Sequence, residues 1–295
     1  MSLNGESHSH GFPVELAGHE IPPELCRGRF FTLDKRPGPA YLEIAAPPSL
    51  TAGFTLRSGG VSRPPFTAAN FSFGVGDDPA AVAANRRGLL AKVGNGRFRQ
   101  LLTVRQVHGT DCLVVTKDGP AEVLAGAAEP IADAIISTRP GLLLGIQTAD
   151  CLPLIVLAEK PPLAAVIHAG WRGLAAGIAA RVVARIEDEF GIPPAGLAVY
   201  AGPAIGPCCF AVGPEVLEQF QKLDYLAGCS AWWRREDAGI FLDLVAIQRL
   251  QLLAVGLPAE HFQSLDLCTS CHDFCFSYRR DRAITGRQLA FAGIN

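Results

Sequence analysis

The chain has 295 residues, of which 49% are hydrophobic and 18% charged, a composition typical of a globular protein and not of a disordered chain. Its net charge of −2, with scattered lysines and arginines, argues against a nucleic-acid groove or a polybasic membrane patch. No apolar run approaches the roughly 18 residues of a membrane span. The polar N-terminus lacks a signal-peptide pattern, so we expect a cytoplasmic protein. Its nine cysteines are an odd number, which argues against a disulfide framework.

Strand-like and helix-like segments alternate along the chain without a strict βαβ rhythm, which favours mixed sheets over a doubly wound one. We expect residues 1–24 to form a flexible tail and residues 25–295 a single domain. Apolar spacing, an early proline and turn residues predict helices over residues 77–93, 174–190, 213–220 and 243–255. Short apolar runs predict strands near residues 53–62, 101–104, 112–116, 134–137, 142–147, 154–157, 163–168, 197–202 and 289–294.

Three strand-like runs end in, or lead to, a metal-capable side chain beside turn residues. These side chains are His108 in VRQVHG, Cys151 in QTADCLP and His168 in HAGWRG. Strand ends can converge on one cleft, and two histidines with one cysteine suit zinc while leaving a fourth position open. The alternative is two histidines with ordinary partners and a buried thiol, because these spacings are not a short-range metal signature.

The HAGWRG segment precedes a predicted helix. Its exposed backbone N–H groups, with Arg172 beside them, could bind phosphate. The alternative is a tight turn with Arg172 in solvent or paired with a carboxylate. Arg279 and Arg280 are weaker phosphate candidates, because adjacent arginines usually form a solvated face.

The segment Cys268-Thr269-Ser270-Cys271-His272 matches the attachment pattern of haem c. That attachment takes place outside the cytoplasm, so we do not expect it here. With Cys275, the same cysteines offer a structural zinc site, but no second CxxC pair is evident. The sequence favours a loop with core thiols.

Five motifs in order resemble the YfiH or laccase-domain family, also named polyphenol oxidase: RQVHGTD, QTADCLPLIV, HAGWRGLAAGI, AGPAIGPCCFAVGPEV and SYRRDRAITGR. The resemblance runs from about Thr55 to the C-terminus. It implies an α+β, YfiH-like single-domain sandwich of mixed sheets flanked by helices. It also implies that His108, Cys151 and His168 form a zinc triad that is both the metal site and the catalytic site.

Further positions match the family pattern. Arg57 and Asn70 stand where the family has the arginine before GGVS and the asparagine of an SLNLG-like segment. With Arg172, they are the expected substrate- or phosphate-binding residues. Ala211 departs from the pattern, because the family usually has glutamate there.

The resemblance implies a zinc-dependent, monomeric enzyme that acts on purine nucleosides and phosphate. The expected reactions are phosphorolysis of adenosine, inosine, guanosine and methylthioadenosine, and adenosine deamination by a metal-activated water. The alternatives are a metal-free Cys–His hydrolase with Cys151 as nucleophile, a copper-dependent polyphenol oxidase, and a non-catalytic binding protein. A multicopper centre needs about ten histidines, mostly in His-x-His pairs. This chain has seven histidines, and its only such pair is His8 and His10. The histidine count therefore argues against a multicopper oxidase.

Overall fold

The computed structural model describes residues 14–16, 19–21, 30–34, 36–116 and 129–295. Most of the predicted tail, residues 1–24, lies outside these ranges. Within it, β1 (Val14–Leu16) pairs antiparallel with β2 (His19–Ile21). In the described part of the chain, no helix is long and apolar enough to cross a membrane.

The remaining elements form mixed sheets with helices on their outer faces. The strands are β3 (Phe31–Asp34), β4 (Tyr41–Ile44), β5 (Leu50–Thr55), β6 (Gln100–Thr103), β7 (Cys112–Val115), β8 (Ala134–Ser137), β9 (Leu142–Thr148), β10 (Leu152–Glu159), β11 (Pro162–Ala169), β12 (Ala198–Ala201), β13 (Ala211–Val212), β14 (Trp233–Glu236), β15 (Gly239–Leu242), β16 (Phe262–Ser264) and β17 (Gln288–Ile294). The helices are α1 (Pro79–Lys92), α2 (Trp171–Ala175), α3 (Ile178–Phe190), α4 (Pro214–Gln221) and α5 (Leu244–Ala254).

Two six-stranded sheets carry the core. The first has the order β16-β12-β10-β11-β8-β7, and the second has the order β3-β4-β5-β17-β9-β6. Each contains both parallel and antiparallel pairs. A smaller sheet has the order β13-β15-β14. The predicted α+β class, with mixed sheets flanked by helices, is confirmed.

The middle strands are apolar along their length because both faces of the first sheet are covered. In β10, Leu154 and Val156 belong to the cluster that includes Val182 of α3. Between them, Ile155 points to the opposite face and joins a cluster shared with the second sheet. The outer face of the second sheet packs against α1 through residues such as Phe291. The core therefore has four layers: helices, sheet, sheet and helix.

Several elements differ from the predictions. Strands β3, β4, β13 and β16 were not predicted. The strand predicted near residues 53–62 is β5, which ends at Thr55. The helix predicted from residue 174 to 190 is divided into α2 and α3, because Gly177 adopts a left-handed conformation with φ of 80°. The hairpin of β14 and β15 was not predicted. Its first strand, Trp233–Glu236, has no fully buried residue and alternates weakly.

Candidate metal centre and cleft

His108 and Cys151 come together because their strands are parallel neighbours. In the second sheet, β6 and β9 run side by side with Thr103 opposite Gly145, so the chain leaves both strands at the same edge. Gln106 extends this pairing past the strand ends. Its side-chain amide donates to the Gln147 carbonyl at 2.7 Å and accepts from the Gln147 N–H at 2.8 Å. The long spacing between the two donors therefore reflects strand register.

His168 reaches the same point through a hairpin. β10 and β11 pair antiparallel with Pro153 opposite His168 and Leu152 opposite Ala169. Cys151 directly precedes β10, so it lies at the end of the hairpin where β11 finishes. The site lies where the chain crosses from the second sheet, at the end of β9, to the first sheet, at the start of β10.

The three donor side chains converge with spacings that fit one metal ion. Cys151 Sγ lies 3.7 Å from His108 Nε2, and the rings of His108 and His168 have centroids 4.7 Å apart. All three donor atoms lie within 4.8 Å of one another. A tetrahedral zinc ion has bonds of roughly 2.0 Å to nitrogen and 2.3 Å to sulfur, which places a nitrogen ligand and a sulfur ligand about 3.6 Å apart. The residues fit a zinc-sized ion with one open position.

Asp133 was not selected from the sequence. Its carboxylate holds His168 and the loop of His108 in place. Its fully buried carboxylate accepts backbone N–H bonds from Val107 at 3.2 Å, His108 at 2.9 Å and Gly109 at 2.7 Å. It also lies 2.7 Å from Nδ1 of His168. This contact favours a proton on Nδ1, so that the lone pair of Nε2 can bind a metal, as supporting carboxylates do for metal-binding histidines. In the sequence, the signal that could have identified Asp133 is an acidic residue directly before the predicted strand 134–137. The structure shows that this strand, β8, pairs with the strand of His168.

The protonation of the centre follows from these contacts. Burial alone raises the pKa of Cys151, but hydrogen bonds with His108 and His168 outweigh it and lower the pKa to about 6. Burial alone lowers the pKa of His168, but hydrogen bonds with Asp133 and Cys151 raise it to about 9. Burial likewise raises the pKa of Asp133, and its contacts with His168 and the backbone N–H groups lower it overall. The centre therefore favours a thiolate at Cys151.

The backbone at two of the donor loops is in a conformation that non-glycine residues rarely adopt. His108 has φ of 62°, and Asp150, directly before Cys151, has φ of 92°. Side-chain contacts hold Asp150 in place, because its carboxylate accepts from the Thr269 hydroxyl at 2.6 Å and the Arg279 backbone N–H at 2.7 Å. Such conformations persist only where the surroundings determine them, and they concentrate at functional sites.

Two glycines of HAGWRG allow the loops to approach one another. A Cβ on Gly170 would lie 2.6 Å from His108 Cδ2 and 3.3 Å from Cys151 Sγ. A Cβ on Gly173 would lie 2.9 Å from the carbonyl oxygen of Gly109. The segment from Gly170 into α2 can therefore approach the loops of His108 and Cys151 only without side chains at these two positions.

The centre opens onto a cleft of about 700 Å³. His108, Cys151 and His168 line it together with Arg172. The other lining residues include three aromatic and four charged side chains that were not selected from the sequence: Phe73, Phe210, Tyr278, Arg105, Arg287, Glu129 and Asp150.

The other predicted positions divide into those that line the cleft and those that support it. Arg279 lines the cleft, whereas Arg280 donates to the carbonyls of Thr269 and His272 and is paired with Asp281. Ala211, which stands in place of the family's glutamate, accepts from the Arg279 guanidinium through its carbonyl at 3.2 Å.

Arg57 and Asn70 are not among the residues that line the cleft. The Arg57 guanidinium donates to the Thr67 carbonyl at 2.6 Å. The Asn70 side chain is fully buried and accepts from the N–H groups of Ser72 and Arg287, both of which line the cleft. In this conformation both residues support the cleft wall, and their contact with substrate stays a prediction.

Together, the fold and site define an α+β protein with a candidate metal centre that opens onto a large cleft. A family model described as multi-copper polyphenol oxidoreductase laccase matches residues 51–295. The chain is 38% identical over 258 residues to a Geobacillus stearothermophilus protein named purine nucleoside phosphorylase YlmD, covering 86% of this chain and 94% of the relative. It is 36% identical over 246 residues to Escherichia coli purine nucleoside phosphorylase YfiH, covering 83% and 94%.

Solved structures agree with these matches. The crystal structure of Geobacillus stearothermophilus YlmD gives a TM-score of 0.81, covering 90% of this chain and 99% of that one. The Bacillus licheniformis protein YfiH, at 31% identity, also gives 0.81, covering 89% and 99%. The chain belongs to the YfiH and YlmD family of laccase-domain proteins.

Proposed function

We propose that the protein is a purine nucleoside phosphorylase that works in the cleft at the His108–Cys151–His168 centre. The observation that most directly supports this is that one cleft combines the three donors with exposed aromatic rings and with arginines that have no ion-pair partner among the described residues. The names of the relatives, purine nucleoside phosphorylase YlmD and YfiH, point to the same activity.

The cleft offers a platform for a purine. Its volume of about 700 Å³ is within the usual range for a small-molecule site. Phe73 and Tyr278 line it and are 48% and 52% exposed, so part of each ring is available to a ligand. Phe210 adds a third ring. Aromatic faces at this position would stack on the base and leave the ribose nearer the metal centre.

Arg172 is the first candidate for the phosphate. It lines the cleft, and its guanidinium lies over the Trp171 ring at 4.4 Å, which restricts its motion. Among the described residues, no oxygen acceptor meets the guanidinium of Arg172 or Arg105, whereas those of Arg279 and Arg287 donate to backbone carbonyls. An arginine with free donors can take a phosphate in bidentate geometry. Because α2 has only five residues, we assign the anion to the arginines and not to the start of that helix.

In phosphorolysis, a phosphate oxygen forms a bond to the anomeric carbon while the bond from that carbon to the purine nitrogen breaks. The purine leaves with the bonding electron pair and takes up a proton. Arg172 would orient the phosphate and offset its charge, so that the attacking oxygen approaches without repulsion. His108, Cys151 and His168 would hold a zinc ion, which when bound supplies Lewis acidity and makes water nucleophilic at neutral pH. That chemistry is our basis for proposing adenosine deamination as a second, zinc-dependent activity.

The test is incubation of the zinc-loaded full-length protein with adenosine, with and without phosphate. Adenine and ribose 1-phosphate should form only with phosphate, and inosine should form without it. Inosine, guanosine and methylthioadenosine should also be cleaved. Arg172→Met should raise KM for phosphate strongly, while the matched variant Arg235→Met, at an exposed arginine outside the cleft lining, should not. Absence of phosphate-dependent cleavage of any of these nucleosides would refute the proposal.

A second candidate is a metal-free hydrolase with Cys151 as nucleophile. The arrangement that favours it is the series Asp133, His168 and Cys151, in which Asp133 holds Nδ1 of His168 at 2.7 Å and contact with both histidines lowers the pKa of Cys151 to about 6. Alkylation separates the two candidates. Cys151 bound to zinc should react slowly until a chelator is added, whereas a free nucleophile should react fast in both conditions, with activity lost in step with labelling.

The geometry gives little support to a multicopper oxidase. In the part of the chain that the structure describes, two clusters of donor residues could hold a metal, and only the His108–Cys151–His168 centre contains histidine. Copper oxidase centres depend on many imidazole ligands. We therefore place polyphenol oxidation behind nucleoside chemistry, and the absence of copper-dependent oxygen uptake with phenols would exclude it.

A further inference from the structure

A second group of donor residues lies outside the centre already described. We call it the four-cysteine cluster: Cys208, Cys209, Cys268 and Cys271, whose sulfur atoms all lie within 4.8 Å of one another. None of them is among the residues that line the cleft. From the sequence alone, Cys268 and Cys271 are candidate zinc ligands with Cys275, and no second CxxC pair is evident.

The second pair is the adjacent Cys208 and Cys209, brought in by backbone pairing between two distant loops. These two cysteines lie in the turn between β12 and β13, and the other two follow β16. The loops are joined where Ala204 donates to the Leu267 carbonyl at 3.1 Å and accepts from the Thr269 N–H at 2.9 Å. Cys275 is not part of the cluster. It is buried at 1% exposure in an apolar group with residues such as Phe274.

The distances match a metal-centred tetrahedron. Cys271 Sγ lies 3.4 Å from Cys208 Sγ and 3.5 Å from Cys209 Sγ. Four zinc–sulfur bonds of about 2.3 Å place the sulfurs about 3.8 Å apart, whereas a disulfide brings them to about 2.05 Å. In addition, Cys271 contacts two sulfurs at similar distances, and a disulfide could use only one of them.

The backbone around the cluster suits thiolates. The Gly206 N–H donates to Cys268 Sγ at 3.2 Å, an interaction that stabilises negative sulfur. A Cβ on Gly206 would lie 3.1 Å from Cys268 Cβ and 3.4 Å from Cys208 Sγ. Glycine at this position therefore leaves the space into which the sulfurs converge.

Two neighbouring arginines brace the loops that hold the cysteines. The Arg279 guanidinium donates to the Cys209 carbonyl at 3.3 Å. The Arg280 guanidinium donates to the carbonyls of Thr269 and His272, both at 2.8 Å. Arg280 is paired with Asp281, so Arg279 is the arginine whose charge partly offsets the net −2 of a four-thiolate zinc site.

We propose that Cys208, Cys209, Cys268 and Cys271 bind one zinc ion as a closed structural site, separate from the His108–Cys151–His168 centre. Four thiolates fill the coordination sphere and leave no position for water or substrate, as in structural zinc sites. Binding releases the four thiol protons and involves no electron transfer. The ion ties the loop after β12 to the loop after β16. The second loop carries Thr269, which holds Asp150 beside Cys151, so the closed site stabilises one wall of the cleft.

The test counts zinc in full-length protein. We expect two ions per chain in the wild type and one in His168→Ala, which damages only the first centre. In the His168→Ala protein, X-ray absorption at the zinc edge should give four sulfur neighbours at about 2.3 Å. Cys268→Ser with Cys271→Ser should lower the wild-type count from two to one. Cys229→Ser, at a cysteine outside both clusters, should leave it at two.

Thiol labelling covers the case in which the serine variants do not fold. In zinc-loaded wild type, the four cysteines should resist alkylation and become reactive when a chelator is added, without any reductant. Labelling that needs a reductant would identify a disulfide and overturn the proposal. Fast labelling in the presence of zinc, or no zinc in folded His168→Ala, would also overturn it.

Discussion

The His108–Cys151–His168 centre and the four-cysteine cluster both join distant parts of the chain, but they do so differently. The first lies at strand ends, where parallel β6 and β9 and the hairpin of β10 and β11 fix the register of the donors. The Asp133 carboxylate holds His168 of this centre in place, and the centre opens onto the cleft. The second lies in loops, has four sulfurs and lines no part of that cleft. An open set of three donors suits catalysis, and a closed set of four suits structural support.

The largest expected effect is a contrast between Cys151→Ala and Cys271→Ala. Cys151→Ala should lose the metal of the first centre and with it the metal-dependent turnover, while its melting temperature falls less than that of Cys271→Ala. Cys271→Ala should keep measurable turnover at low temperature but melt at a clearly lower temperature, because its loops lose their tie. Metal counts, turnover and calorimetry on both proteins test the contrast. If both variants lost turnover and stability together, the division into catalytic and structural sites would be wrong.

Weakening the contact between Asp133 and His168 in the first centre should have the next largest effect. Asp133→Asn should lower its zinc affinity by about 10–100-fold, because the amide holds Nδ1 of His168 less well than the carboxylate. The measurement is competition with a chelating dye. Asp78→Asn, at the exposed N-cap of α1, is the control, since asparagine caps a helix as well as aspartate. Equal affinities in the Asp133 variant and the wild type would contradict the role assigned to Asp133.

A single methyl group near the first centre should have a smaller effect. Gly170→Ala places a Cβ at 2.6 Å from His108 Cδ2, so the imidazole must move. We expect zinc affinity to fall by about tenfold, within the range of overpacking energies. Gly74→Ala is the matched control, because Gly74 also lines the cleft but its nearest neighbour would be 3.8 Å away. A similar fall in both variants would show that contact with His108 is not the cause.

The smallest expected effect is at the link between the two sites. Thr269→Val removes the hydroxyl that donates to Asp150 at 2.6 Å, and should lower the free energy of unfolding by about 1 kcal/mol. Turnover should fall modestly while both metal counts stay unchanged. Thr269→Ser keeps the hydroxyl and should behave like the wild type in denaturant titration. Loss of either metal in the valine variant would mean that Thr269 supports a metal site directly.

Periodicity identified most of the central elements but not all their limits. Six elements lie close to the predicted ranges: the strands β8, β9 and β17 and the helices α1, α4 and α5. Apolar runs mark the strands, and apolar spacing with an early proline or turn residues marks the helices. The division at Gly177, the weakly buried hairpin of β14 and β15, and the short strands β3, β4, β13 and β16 were missed. A left-handed glycine inside an apolar helix pattern and a short exposed strand change the local hydrophobic pattern very little, so the pattern does not indicate them.

The sequence by itself determined the class of fold, the donor types and the motifs that resemble the YfiH family, because those depend on residue identity and local order. The same resemblance implied that His108, Cys151 and His168 form one site, but only the tertiary structure decided the other contacts. It brought Asp133 behind His168 and placed Arg172 on the cleft. It also joined Cys208 and Cys209 to Cys268 and Cys271, which are about 60 residues apart along the chain. Strand register and loop pairing set these distances, and both depend on contacts between segments that local sequence patterns do not encode.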